Sequence, residues 1–307
     1  MIEKDDPDPT KRAVVTIAAR NYWPRVRVLA RSIALHHPRL PVFAVLTDEV
    51  DGCFDAAREA FGVVRLEELP LPAGELRRLT FALARRELAA AVKASALRHL
   101  LDGGWSEVVL VDPDCLVLGP LDPLFEALGR TSILLSPHRT RPKPTADREA
   151  ADLRLLSAGT FNGGLLGVRE GRVARQFLAW WADRLLRCCK GRLERGLHYD
   201  QRWLDLVPGL FEDVRVFRDP DFNVAYWNLD DRIGGAGAVR RGPGPRTWRL
   251  FHFSGFDPAR GGDVSAYAPG LRVSEIPGLE PLFEGYCRQL LAAGQAAAEG
   301  RGHAFGC

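Results

Sequence analysis

Short apolar runs alternate with helical patterns through the first part of this 307-residue chain, and that order leaves few folds open. Ala13–Ala19 reads as a buried strand. Pro24 then opens a helix in which Val26, Leu29, Ala30, Ile33 and Ala34 recur at helical spacing until Pro38. Val42–Leu46 is a second strand, Asp55–Phe61 a short helix and Val63–Leu66 a third strand. Leu88–Leu101 predicts one long helix, which delivers the chain through Gly103-Gly104 to a fourth strand at Val108–Val111. Such alternation builds a mainly parallel sheet with helices on both faces. Further on, strands are expected at Ile133–Leu135, Leu165–Val168, Val214–Phe217 and Trp248–Phe253. Helices are expected at Ala174–Cys188, Gln201–Leu206 and Leu282–Ala293. The expected class is α/β, a mainly parallel mixed sheet flanked by helices. Its domain plan is a flexible tail over 1–11, one domain over 12–293 and a second tail over 294–307.

With 46% hydrophobic and 26% charged residues, the chain has the composition of an ordinary globular protein able to bury a substantial core. A net charge of +3 is too small to argue for nucleic acid. Its basic residues are 37 Arg against 5 Lys, so each lysine is conspicuous. None of the six cysteines forms a CxxC pair, and Cys188 and Cys189 are adjacent, which points to reduced thiols rather than a zinc or disulfide framework. No apolar run is long enough to span a membrane, and Met1–Thr10 has no apolar core of a signal peptide. The expectation is a cytoplasmic protein. Leu282–Ala293 lacks the basic face of a membrane-docking helix, and peripheral association with the inner membrane face stays open.

Asp112-Pro113-Asp114 lies where the fourth strand runs out, before the apolar run Leu116–Leu118. Carboxylates at i and i+2 of an extended chain share one side, and a residue before proline is biased toward extended geometry. Two such oxygen donors suit a divalent cation. The competing reading is a Pro-Asp turn after a buried strand. The carboxyl ends of parallel strands, where ligands collect, also hold Asn21-Tyr22.

AARNY (Ala18–Tyr22), Lys93 before LRHLL, Asp112-Pro113-Asp114, FNGG (Phe161–Gly164), YDQ (Tyr199–Gln201) and HFSG (His252–Gly255) follow in an order and spacing that resemble the GT-A glycosyltransferases of family 8. The resemblance runs over roughly Val14–Pro258. It implies a DxD metal site for Mn²⁺ or Mg²⁺ made by Asp112, Asp114 and His252. It also implies a donor site at Ala18, Ala19, Asn21, Tyr22, Lys93, Asp112, Asn162, Gly163, Asp200 and Gly255, and catalytic roles for Lys93, Asp200 and Gln201. The implied reaction moves a hexosyl group from a nucleotide sugar, a UDP-hexose, to an unidentified acceptor with retention of configuration. The acceptor, whether glycan, lipid-linked sugar, peptide or small metabolite, is left open. The basic loop His138–Arg148 and the aromatic pair Tyr226-Trp227 are candidates to meet it.

The chain departs from the family at two places. Relatives often carry an acidic residue where Ala19 stands. The fuller family pattern also places a diphosphate-gripping lysine where Pro258 stands, so Arg260, Arg240 or Arg241 is a candidate replacement. By itself, Asp200 before a helix reads as an N-cap, and His252 between two Phe as a packed core histidine. A non-catalytic nucleotide-sugar-binding module is the rival reading. A pyrophosphorylase is disfavoured, because AARNYWP replaces its Gly-rich loop after the first strand, and a metal-dependent sugar-nucleotide hydrolase using the same residues stays open.

Overall fold

The computed structural model describes residues 11–48, 55–143, 148–232, 248–259, 262–276 and 278–295. The first half runs β1 (Arg12–Ala18), α1 (Trp23–His36), β2 (Val42–Leu46), β3 (Gly62–Arg65), α2 (Glu75–Ala82), α3 (Arg85–Ala91), α4 (Lys93–Asp102), β4 (Glu107–Val111), β5 (Cys115–Val117) and α5 (Asp122–Leu128). It continues through β6 (Ile133–Pro137), α6 (Arg148–Ala158), β7 (Phe161–Arg169), α7 (Arg172–Cys188), the hairpin β8 (Gly191–Arg192) and β9 (Leu197–His198), and α8 (Val207–Leu210). The last elements are β10 (Val214–Val216), α9 (Leu229–Arg232), β11 (Leu250–His252) and α10 (Glu280–Ala292).

Seven strands form the central sheet in the order β10-β6-β7-β4-β1-β2-β3, and only β7 runs against the rest. Alternate residues of β1 enter opposite cores. Ala13, Val15 and Ile17 join the layer under α3, α4 and α7, while Val14 and Ala18 join the layer under α1 and α5. Both faces are covered, so the strands read as unbroken apolar runs. A third core forms where α10 packs on the β5–β11 ribbon, with Phe253 stacked 3.8 Å from Tyr286 and packed against Phe283.

Several expected elements take a different form. The helix expected over Asp55–Phe61 is a single 3₁₀ turn, Ala56–Arg58. The long helix expected over Leu88–Leu101 breaks at Val92 (φ −95°, ψ 2°), and the break puts Lys93 in the first turn of α4. Gln201–Leu206 winds as 3₁₀ helix before Pro208 restarts an α turn. Trp248–Phe253 is strand only over Leu250–His252, paired with β5 rather than with the main sheet. Helices α2, α5 and α6 and the β8–β9 hairpin lack the long apolar periodicity that would announce them. Gln295, assigned to the tail by its sequence position, is buried, and Arg25 Nη1 donates to its Oε1 at 3.3 Å.

Arg240, Arg241, Arg260, part of the 138–148 loop, nearly all of the 232–246 loop and most of both expected tails lie outside the described residues. Cys115, Cys188, Cys189 and Cys287 are unbonded. Among the described residues no helix is long and apolar enough to cross a membrane.

Candidate active site

Asp112 ends β4 with its N–H on Gly164 O (2.8 Å), and Cys115 N–H turns back onto Asp112 O at 3.1 Å. The segment is therefore a tight turn with Pro113 at its second position, a place proline's fixed φ suits. This corrects the expectation of an extended Asp112–Asp114 pair: the turn, not a strand, points both carboxylates inward. Past the turn, β5 pairs antiparallel with β11 and sets Cys115 opposite His252. His252 Nε2 thereby comes 3.1 Å from Asp114 Oδ1 and 4.0 Å from Asp112 Oδ2.

The imidazole is held from behind. Its Nδ1–H donates to Asn223 Oδ1 at 3.1 Å. Asn223 Nδ2 donates in turn to Ser136 Oγ (3.0 Å) and Asn162 Oδ1 (3.2 Å), and Asn162 Nδ2 donates to His138 Nε2 (3.3 Å). Asn223 sits at φ +52°, a left-handed conformation that Asn tolerates better than most residues. Fixing Nδ1 as the donor leaves Nε2 to face the carboxylates, the usual arrangement around a metal-ligating histidine.

Lys93 closes the other side. Its ammonium reaches Gly163 O at 2.9 Å, Asp200 Oδ2 at 3.0 Å and Asp112 Oδ1 at 3.0 Å, which uses all three of its N–H groups. Burial opposes its charge, but Asp112 and Asp200 outweigh that and raise its pKa. Asp200 does not cap the following helix with its side chain; the carboxylate is spent on Lys93, contrary to the N-cap reading. Burial raises the pKa of Asp112 despite Lys93 and His252. For Asp114, burial is overcome by the His252 charge and hydrogen bond, and its pKa falls.

The FNGG glycines explain the crowding. A Cβ on Gly163 would stand 1.9 Å from Asp200 Oδ2, and one on Gly164 would stand 2.6 Å from both Asp112 Oδ2 and His252 Cε1. The space that the two glycines leave open is filled by the protein's own side chains. Both polar ends of Asn162 are likewise engaged within the protein, since its Oδ1 also accepts Gly164 N–H. Gln201 Nε2 donates to Ala158 O at 2.8 Å, which orients its amide.

A cavity of about 1530 Å³ adjoins the cluster, lined on this side by Asn162, Gln201, Tyr199 and Ser254 and beyond by Tyr226, Trp227 and residues of α6. The carboxylates themselves are not part of its lining. At the end of β1, Ala18 and Ala19 are buried, while Tyr22 is 37% exposed with the Arg25 guanidinium 4.4 Å from its ring centre. Asp48, just past β2, accepts Arg20 N–H at 2.8 Å. It was not singled out in the sequence, although an acid at the carboxyl end of a parallel strand is the available signal.

Asp114, Cys115 and His252 have potential ligand atoms within 4.8 Å of one another. Cys115 is the member sequence reasoning missed. Burial pushes its thiol up to about 11, so it stays protonated and is a poor ligand. Two carboxylates beside an oriented imidazole nitrogen are a donor set that fits a divalent cation of the Mn²⁺ or Mg²⁺ kind.

No model of a known protein family matches the chain. It is 29% identical over 121 residues to the uncharacterized protein YfnF of Bacillus subtilis (strain 168), a stretch that covers 39% of this chain and 40% of YfnF. The chain spans less than half the length of the curated relatives it matches. Among solved structures, the galactosyltransferase LgtC in complex with donor and acceptor sugar analogs matches with a TM-score of 0.50 at 17% identity, covering 90% of this chain and 95% of that one. The glycosyltransferase GlyE of Streptococcus pneumoniae TIGR4 matches with a TM-score of 0.53 at 15% identity, covering 92% of this chain and 63% of that one. Seven strands in this order, one of them reversed, with the acidic turn at the edge of β4, give this chain the fold of the GT-A glycosyltransferases.

Proposed function

We propose that this protein is a metal-dependent glycosyltransferase that moves a hexosyl group from a UDP-sugar to an acceptor hydroxyl with retention of configuration. The observation that carries this reading is the cluster of Asp112, Asp114, His252, Lys93 and Asp200 gathered at Gly163-Gly164 of β7, beside a cavity large enough for sugars. The galactosyltransferase likeness supports it at the level of fold. Asp112, Asp114 and His252 would hold the Mn²⁺ or Mg²⁺ ion, which when bound supplies Lewis-acid stabilisation of the departing diphosphate.

This chain's residues do the rest. Asn223 accepts from His252 Nδ1–H and so keeps the ring turned with Nε2 toward the carboxylates. Lys93 fixes the spacing of Asp112 and Asp200, acting as a positioning residue, since its three N–H groups are already engaged. Asp200 would meet the donor sugar's hydroxyls, with Gln201 alongside in the cavity wall. Ala18, Ala19, Asn21 and Tyr22 would cradle the nucleoside. In the transfer, the acceptor oxygen bonds to the anomeric carbon as its bond to the diphosphate oxygen breaks. The acceptor's proton passes to that leaving oxygen on the same face, so no separate strong base is required.

The test is UDP release from UDP-glucose and UDP-galactose with Mn²⁺, over a panel of sugar acceptors. Asp114→Asn should slow transfer at least a hundredfold, about 2.7 kcal/mol of barrier, with the melting temperature of the protein alone maintained. Near-normal turnover in the folded variant would contradict the metal assignment.

A further inference from the structure

Pro258 leaves the proposed donor site without the lysine that its sequence pattern otherwise calls for, and the guanidinium of Arg86 stands in the cavity wall. Arg86, in the first turn of α3, is exposed, and its Cζ lies 4.5 Å from the Tyr199 ring centre and 5.5 Å from that of Tyr267. Its Nη1 donates to Tyr267 Oη at 2.7 Å. Among the described residues no carboxylate pairs with it. Arg139, another guanidinium of the same cavity, is neutralised by Asp230 and Asp231.

Both tyrosines are fixed. A Cβ on Gly191 would stand 2.7 Å from the Tyr199 ring, and one on Gly255 would stand 2.6 Å from that of Tyr267. Each ring therefore lies on a bare glycine backbone and turns toward Arg86. Tyr199 is also held at φ +50°, with its N–H on Lys190 O at 3.0 Å. The positive charge is thus stacked, tethered and presented before any ligand arrives, which lowers the entropy lost on binding an anion. Arg86 lines the same cavity as Asn162, Gln201 and Ser254, and its two partners tie it to the site: Tyr199 directly precedes Asp200, and Tyr267 lies against Gly255, three residues past His252. Gly255 then acts as the seat of Tyr267 rather than as a ligand contact.

We propose that Arg86, clasped between Tyr199 and Tyr267, is the cation that binds the diphosphate of the donor in place of the lysine missing at Pro258. This rests on the nucleotide-sugar reading above. A guanidinium presents two parallel N–H groups to phosphate oxygens, which a lysine cannot do.

The experiment is calorimetric titration of UDP and of UMP, each with Mn²⁺, into wild type, Arg86→Ala, Arg86→Lys and Tyr267→Phe. Arg86→Ala should lose about tenfold to a hundredfold in UDP affinity, the range for a hydrogen bond to a charged group, while UMP affinity stays within about threefold. Arg86→Lys should recover part of the loss. Tyr267→Phe keeps the ring and should change UDP affinity by less than Arg86→Ala does. UDP binding by Arg86→Ala at wild-type affinity overturns this proposal alone, and so does an equal loss for UDP and UMP. Wild type that binds neither UDP, GDP nor ADP overturns the nucleotide-sugar reading and this proposal with it.

Discussion

Asn223 carries much of the order of the site, although it touches no expected substrate. One amide accepts from His252, donates to Ser136 and Asn162, and sits in left-handed backbone. Asn223→Ala leaves a buried imidazole N–H without its acceptor, a cost of about 1–3 kcal/mol in unfolding free energy. It should also weaken Mn²⁺ binding roughly tenfold to a hundredfold, as loss of an orienting partner does for metal-ligating histidines. Denaturant unfolding and Mn²⁺ titration measure the two effects; unchanged metal affinity would mean that His252 needs no such brace. At this scale the positions of Asp112, Asp114, His252, Asp200 and Lys93 could be picked out of the sequence as candidates, because each stands in a short motif or is a rare residue in its context, while the turn that joins the two acids could not. Asn223 and Arg86 were not. Their significance arises from partners 29 and 181 residues away, and no local spacing encodes that.

Strand β7 shows how an element can be shaped by what leans on it. Gly163 and Gly164 leave room for Asp200, Asp112 and His252 against the sheet. Gly164→Ala should therefore abolish nucleotide binding in a folded protein, whereas Gly209→Ala, where an added Cβ meets nothing within 4 Å, should bind as wild type does. Retained nucleotide affinity in Gly164→Ala would show that the site tolerates movement of the acidic turn. The strands were legible as apolar runs because both faces of the sheet are buried, and β2 falls on the expected residues. The break at Val92 was not, since AAAVKASALRHLL is a good helix by propensity. Tertiary attraction of Lys93 to Asp112 and Asp200 coincides with the break. The turn at Asp112–Cys115 was misread for a related reason: proline's bias on its neighbour is local, while closure of the β5–β11 ribbon is not.

On the scale of the whole molecule, three cores meet at the site, and the polar chain His252–Asn223–Asn162–His138 runs between them. Burial holds His138 down to about 4, so it stays neutral, with Nε2 accepting from Asn162 and Nδ1 donating to Thr160 O. The unfolded chain takes up a proton near pH 6.5 and the folded one does not, so stability falls as pH drops from about 6.5 toward about 4. From pH 7 to pH 5 this group alone should cost about 2 kcal/mol, and His138→Asn should lower that pH dependence by a similar amount in denaturant unfolding. An unaltered pH slope would mean that His138 is protonated in the folded protein.

The central claim, a metal-dependent nucleotide-sugar site at the acidic turn, is tested most directly by melting temperature. UDP, GDP and ADP are each added with and without Mn²⁺ to wild type and to Asp114→Asn. UDP with Mn²⁺ at a hundredfold excess over Kd should add about 2.7 kcal/mol of stability, the gain should vanish without the metal or in the variant, and GDP and ADP should give less. No shift with any nucleotide, or an equal shift in Asp114→Asn, would contradict the account.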